Sequence, residues 1–64
     1  MEKFNKAIAD YTKAIQVNPK DADSYYNRGV AKTMIGDRMG AQQDWKKAAE
    51  LGHSKAKEWS NSGR

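Results

Sequence analysis

The chain repeats itself. "ADYTKAIQVNP" at residues 9–19 returns in altered form as "QDWKKAAELGH" at residues 43–53. A shift of 34 positions places Ala7 on Ala41, Asp10 on Asp44, Lys13 on Lys47 and Ala14 on Ala48. It also places Ala22 on Ala56, Asn27 on Asn61 and Gly29 on Gly63, which makes seven identities in 30 overlapping pairs. Aromatics coincide as well, Tyr11 with Trp45 and Tyr25 with Trp59. These are small, aromatic and capping positions, where packing is selective. A fixed period of this kind signals stacked supersecondary units, none of which can bury its apolar face alone.

Length sharpens that constraint. Sixty-four residues make one small domain with a marginal core. There is no cysteine, so neither disulfides nor a cysteine-based zinc site is available. His53 is the single histidine and cannot build a metal site, so no metal and no cofactor are expected. Association with another chain, or membership of a longer one, is the expected source of stability.

The spacing of apolar residues predicts helices throughout. Phe4, Ala7, Ile8, Tyr11, Ala14 and Ile15 form one helical stripe over 2–17. Pro19 turns Asn18 away from helical angles and ends that helix. Asp21 or Asp23 can cap a second helix over 22–35, closed by Gly36. Asp37 can cap a third over 38–51, with Ala41, Trp45, Ala48, Ala49 and Leu51 on its packing side and Gly52 at its end. Ser54 can cap a short fourth over 55–61, before a tail, "SNSGR", expected to fray. The short connections predict antiparallel neighbours.

A two-helix unit of 34 residues resembles the tetratricopeptide repeat (TPR). Tyr25 stands at the family's aromatic opening, and Gly29 where its first helix needs a small residue. Ala41, Trp45 and Ala48 follow at the family's spacing in the second helix. "AIADYTKAIQVNP" resembles the second helix of a preceding repeat, with the family's proline at Pro19, and "AKEWSNSG" the opening of a following one. The domain organisation implied is a single segment: 1–21 closing a partial repeat, 22–55 one full repeat, and 56–64 beginning another. Starting in mid-repeat suggests a piece of a longer protein. The fold implied is all-α, an α-α superhelix of antiparallel hairpins. "KKAAELGHSKA", residues 46–56, is also similar to the Sel1-like repeat, a close relative.

The departures from the family pattern raise their own expectations. Arg28 replaces the usual leucine, Lys32 an aromatic, and His53 a proline. On a helical wheel Arg28 and Lys32 flank Tyr25 and Gly29, towards neighbouring helices, and a buried charge is costly unless paired. Arg28 is therefore expected to reach Asp10 or Asp44, with its stem packed on Tyr11 or Trp45. His53 reads as a surface turn residue.

The resemblance implies that the first helix of each repeat lines a groove for a peptide or protein. Here that face holds Asp23, Tyr26, Asn27, Val30, Thr33 and Met34. Tyr26, Val30 and Met34 recur every fourth residue as an apolar line. Some family members clamp a terminal carboxylate with lysines and asparagines. Asn27 matches one such asparagine, and Lys57 with Asn61 has the lysine-to-asparagine spacing on the next helix, but the set is incomplete and Asp23 carries the wrong sign. A second expectation is self-assembly: Phe4, Ile8, Tyr11 and Ile15 lack a partner helix and should be partly bare, favouring a homodimer or a swapped homo-oligomer.

Other classes of function fare poorly. Net charge is +4, but the lysines are scattered among acids without the basic run and interleaved aromatics of a nucleic-acid face. No stretch approaches 18 apolar residues or reads as a signal peptide, so neither membrane nor export is expected and the expected compartment is the cytosol. One histidine without a fixed carboxylate is poor material for acid–base or nucleophilic catalysis, and "IGDRMG" lacks the lysine and strand of a phosphate loop. The chain is expected to be no enzyme.

Overall fold

The computed structural model describes residues 2–53 and Lys55. Among them are three helices, α1 (Glu2–Val17), α2 (Ala22–Met34) and α3 (Arg38–Glu50). The fourth helix expected over 55–61 lies outside the described residues. α2 and α3 each stop one residue short of their expected ends, because Ile35 and Leu51 are C-caps.

Each boundary has a local cause. α1 ends at Val17, and the Asn18 N–H still closes a bond to the Ala14 carbonyl at 2.9 Å before Pro19 turns the chain. Of the two candidate caps, Asp21 starts α2: its carboxylate accepts from the Ser24 N–H at 3.3 Å and the Ser24 hydroxyl at 2.7 Å. Gly36, at φ +86°, ends α2 in the left-handed region, where a Cβ is disfavoured. Asp37 then does two jobs. Its N–H closes α2 on the Lys32 carbonyl at 2.8 Å, and its side chain caps α3 by accepting from the Gly40 N–H at 2.9 Å. Gly52, at φ +98°, ends α3 in the same manner, with the His53 N–H on the Ala48 carbonyl at 3.0 Å.

α2 packs against both other helices. The Cα positions span 31 × 26 × 14 Å. Three helices joined through α2 bury little side chain among the described residues, and the core is thin. It consists of Ile15, Ala31, Ala41 and Ala48, with Ser24, Asp44 and Gly29 also buried, and no large side chain is fully covered. Small residues let the axes approach closely. Gly29 is the tightest point, since a Cβ there would sit 2.6 Å from Trp45 Nε1 and 3.1 Å from the Ala41 carbonyl oxygen. The small residue expected at this position is thus required by the indole ring opposite.

Candidate functional site

A charged cluster joins α2 to both neighbours. Arg28 donates from Nε to Asp44 Oδ2 at 2.9 Å and from Nη2 to Asp44 Oδ1 at 2.7 Å. Its third nitrogen, Nη1, donates to the Thr12 hydroxyl of α1 at 3.2 Å. Lys32, one turn on, places Nζ 3.1 Å from Asp44 Oδ2. Of the two aspartates that Arg28 was expected to reach, the partner is Asp44. The aromatic against its guanidinium is Tyr25, with Cζ 5.4 Å from the ring centroid, in place of the expected Tyr11 or Trp45. The hydrogen bond to Asp44 raises the Arg28 pKa above the ordinary arginine value, outweighing the opposing effect of burial. This cluster is spent on holding helices together and offers nothing to a ligand.

A second cluster closes one end of the α2–α3 pair. The His53 ring stacks on Tyr26 with centroids 4.5 Å apart and planes at 12°, and its Nε2 lies 3.0 Å from Asp23 Oδ1. Tyr26 also meets Trp45, centroids 6.5 Å apart, and the Tyr26 carbonyl accepts from Trp45 Nε1 at 3.3 Å. His53 is therefore a packed residue whose side chain is 15% exposed, and the surface-turn expectation is corrected. The signal was available only weakly, in an aromatic standing where the family places proline. Tyr26, expected to line a groove, is half-buried with its ring against His53 and Trp45.

The other α2 residues expected to line a groove differ in exposure. Asn27, Thr33 and Met34 are exposed and Val30 is half-buried, while the Thr33 hydroxyl donates back to the Gly29 carbonyl at 3.0 Å. Asp23 is exposed but tied to His53. Lys57 and Asn61, the expected clamp pair, lie outside the described residues.

On α1 the expected self-association face divides. Phe4, Ile8 and Tyr11 are half-buried, as anticipated, whereas Ile15 is buried at 9% exposure and cannot be part of a bare face. Thr12, three residues earlier, already touches Arg28, so this stripe is directed at α2. No helix among the described residues is long and apolar enough to cross a membrane.

Comparison with known proteins adds an independent line. A family model described as the TPR repeat matches residues 1–36, which spans α1 and α2. The "Hsp70-Hsp90 organizing protein 1" of Glycine max is 40% identical over 50 residues, 78% of this chain. The "Hsp70-Hsp90 organizing protein 2" of Arabidopsis thaliana is 36% identical over 62 residues, 97% of this chain. "Tetratricopeptide repeat protein 36" of Danio rerio is 35% identical over 51 residues, 80% of this chain. The chain spans 9%, 11% and 27% of the lengths of these three proteins. No solved structure matches it.

Proposed function

Since the chain belongs to the tetratricopeptide repeat family and is a protein-interaction module of that type, we propose that it receives a peptide or protein segment along the outer face of α2. The observation that supports this is a division of labour on one helix. Arg28, Gly29 and Lys32 are consumed by α3, while Asn27, Val30, Thr33 and Met34 are left outward with polar, apolar and polarisable groups in sequence. Asn27 can hydrogen-bond a main chain, and Val30 with Met34 can take apolar side chains one turn apart. Two of the relatives are named as organizing proteins of Hsp70 and Hsp90, so those two proteins are the first partners to test. The Sel1-like wording of residues 46–56 is retained as a proposal about subfamily.

The test is a titration of the labelled chain with Hsp70, with Hsp90 and with an arrayed peptide library. Met34→Glu and Asn27→Ala, both at exposed positions, should each weaken a detected complex by about tenfold while leaving the melting temperature unchanged. Binding indifferent to both substitutions, or no binding at all, would overturn this use of α2.

A homo-oligomer is the alternative, favoured by so thin a core. With Ile15 buried, its face on α1 rests on Phe4, Ile8 and Tyr11. Light scattering behind a sizing column at several concentrations separates the two. A mass of 7.2 kDa throughout removes the oligomer, and twice that mass or more supports it.

A further inference from the structure

Seen down its axis, α2 sorts its side chains by charge. At 3.6 residues per turn, Asp23, Asn27, Val30 and Met34 fall within about 40° of one another, on the opposite side from Arg28 and Lys32. Those two cations are engaged by Asp44. Of the four outer residues only Asp23 is charged. It stands at the N-terminal end of the stripe, and the apolar Val30 and Met34 stand towards the other end.

Asp23 is held in place and still reachable. His53 Nε2 lies 3.0 Å from its Oδ1, while the Asp23 side chain remains 82% exposed. His53 is itself fixed by stacking on Tyr26. Asp23 also lines a depression of about 480 Å³ between the α1–α2 turn and the end of α3, together with Asn18, Lys20, Asp21 and His53. Two carboxylates against one ammonium leave that depression acidic, and the negative end of the α3 dipole falls there. The opposing positive end of α2 is already met by the Asp21 cap. The balance favours a cation, and there is room for a long basic side chain.

We propose that the segment received on the outer face of α2 carries a lysine or arginine at the Asp23 end, with two apolar residues beyond it that take Val30 and Met34. This rests on the use of α2 proposed above and names the chemistry of its ligand. Val30 and Met34 are about 6 Å apart along the helix, close to the ~6.6 Å between alternate residues of an extended strand. A segment of the pattern basic-x-apolar-x-apolar therefore puts all three side chains on one face, and the flexible basic stem spans the remaining distance to Asp23. A terminal carboxylate at that end would be repelled. The chain's net charge of +4 opposes any cationic segment at long range, so the selectivity comes from contact with Asp23.

The probes are peptides with both ends blocked, of the pattern lysine-x-leucine-x-leucine and its reverse, and the same peptides with glutamine or glutamate for lysine. Each is labelled and titrated with the intact chain by fluorescence anisotropy. In one chain direction the lysine peptide is expected to bind about fivefold tighter than its glutamine counterpart, with the glutamate peptide weakest. Asp23→Asn should remove the advantage of lysine, and Asp23→Lys should transfer it to glutamate. Circular dichroism checks that both variants keep the fold. Met34→Glu should weaken every peptide of the set whatever its charge. Peptides that respond to Met34→Glu but bind alike with lysine, glutamine or glutamate overturn this choice of ligand and leave the groove on α2 standing. A lysine preference that survives Asp23→Asn does the same. Peptides that ignore Met34→Glu, or a set of which none binds, overturn both.

Discussion

Arg28 and Asp44, sixteen residues apart on adjacent helices, meet through two parallel hydrogen bonds of 2.9 and 2.7 Å, with Thr12 of α1 on the remaining nitrogen. Both side chains are largely covered, at 17% and 6% exposure, so this pair differs in kind from a surface ion pair.

Arg28→Ala should accordingly destabilise the chain by roughly 3 kcal/mol, since it leaves a buried carboxylate with Lys32 alone. Lys20→Ala, on an exposed turn, should stay within about 0.5 kcal/mol of the parent. Thermal denaturation followed by circular dichroism compares them, and equal melting temperatures would refute a structural role for the pair. Because the Arg28 pKa is raised, the guanidinium's contribution is complete below the ordinary arginine range and is lost only as pH climbs past the raised value. Titration from neutral to moderately alkaline pH should therefore leave it intact.

Gly29→Ala sets two effects against each other. Alanine gains up to about 1 kcal/mol of helix propensity, but its methyl would meet Trp45 Nε1 at 2.6 Å, and overpacking costs about 1–3 kcal/mol. Both the indole and the Ala41 carbonyl must give way, so net destabilisation is expected. The double variant with Trp45→Leu should recover most of the Gly29→Ala loss, and a double-mutant cycle measures the coupling. Additive losses would show that the ring is not the obstacle.

Gly36→Ala and Gly52→Ala meet open space and no clash, so they isolate backbone strain. Each should cost about 1 kcal/mol at its positive φ, and Gly36→Asn should cost less. Urea midpoints at constant slope report this.

His53→Ala should lower stability measurably, by about 1 kcal/mol, because it removes a ring stacked on Tyr26. Asp23→Ala should have a smaller effect, its side chain being 82% exposed. A melting temperature unmoved by His53→Ala would return the residue to the surface role first expected of it.

Much of this was legible in the residues. The 3-1-3-3-1 spacing in 2–17 gave α1 its limits, and Asp21, Asp37, Gly36 and Gly52 marked boundaries because their chemistry is local. The need of Arg28 for a carboxylate followed from the cost of burying charge. Which carboxylate did not follow, because Asp10 and Asp44 occupy equivalent places in the repeat and only the packing of α2 distinguishes them. Ile15 was misjudged for a related reason. A helix in a stacked layer has two contact faces, and one apolar stripe does not reveal which of them is filled. His53 was missed because its contact with Tyr26 joins residues 27 apart, through a turn whose path the sequence does not fix.

The spacing of Arg28 and Lys32 bears on how α2 is aligned against α3. Slid by one turn, about 5.4 Å, α2 would put Lys32 where Arg28 now stands, and Asp44 would still find a cation. Electrostatics alone would tolerate that misalignment. Gly29 does not, because the same slide brings Thr33 under the Trp45 ring, and the opposite slide brings Tyr25. The correct alignment of the two helices is thus selected by a missing side chain, while the charges supply cohesion that is nearly blind to position.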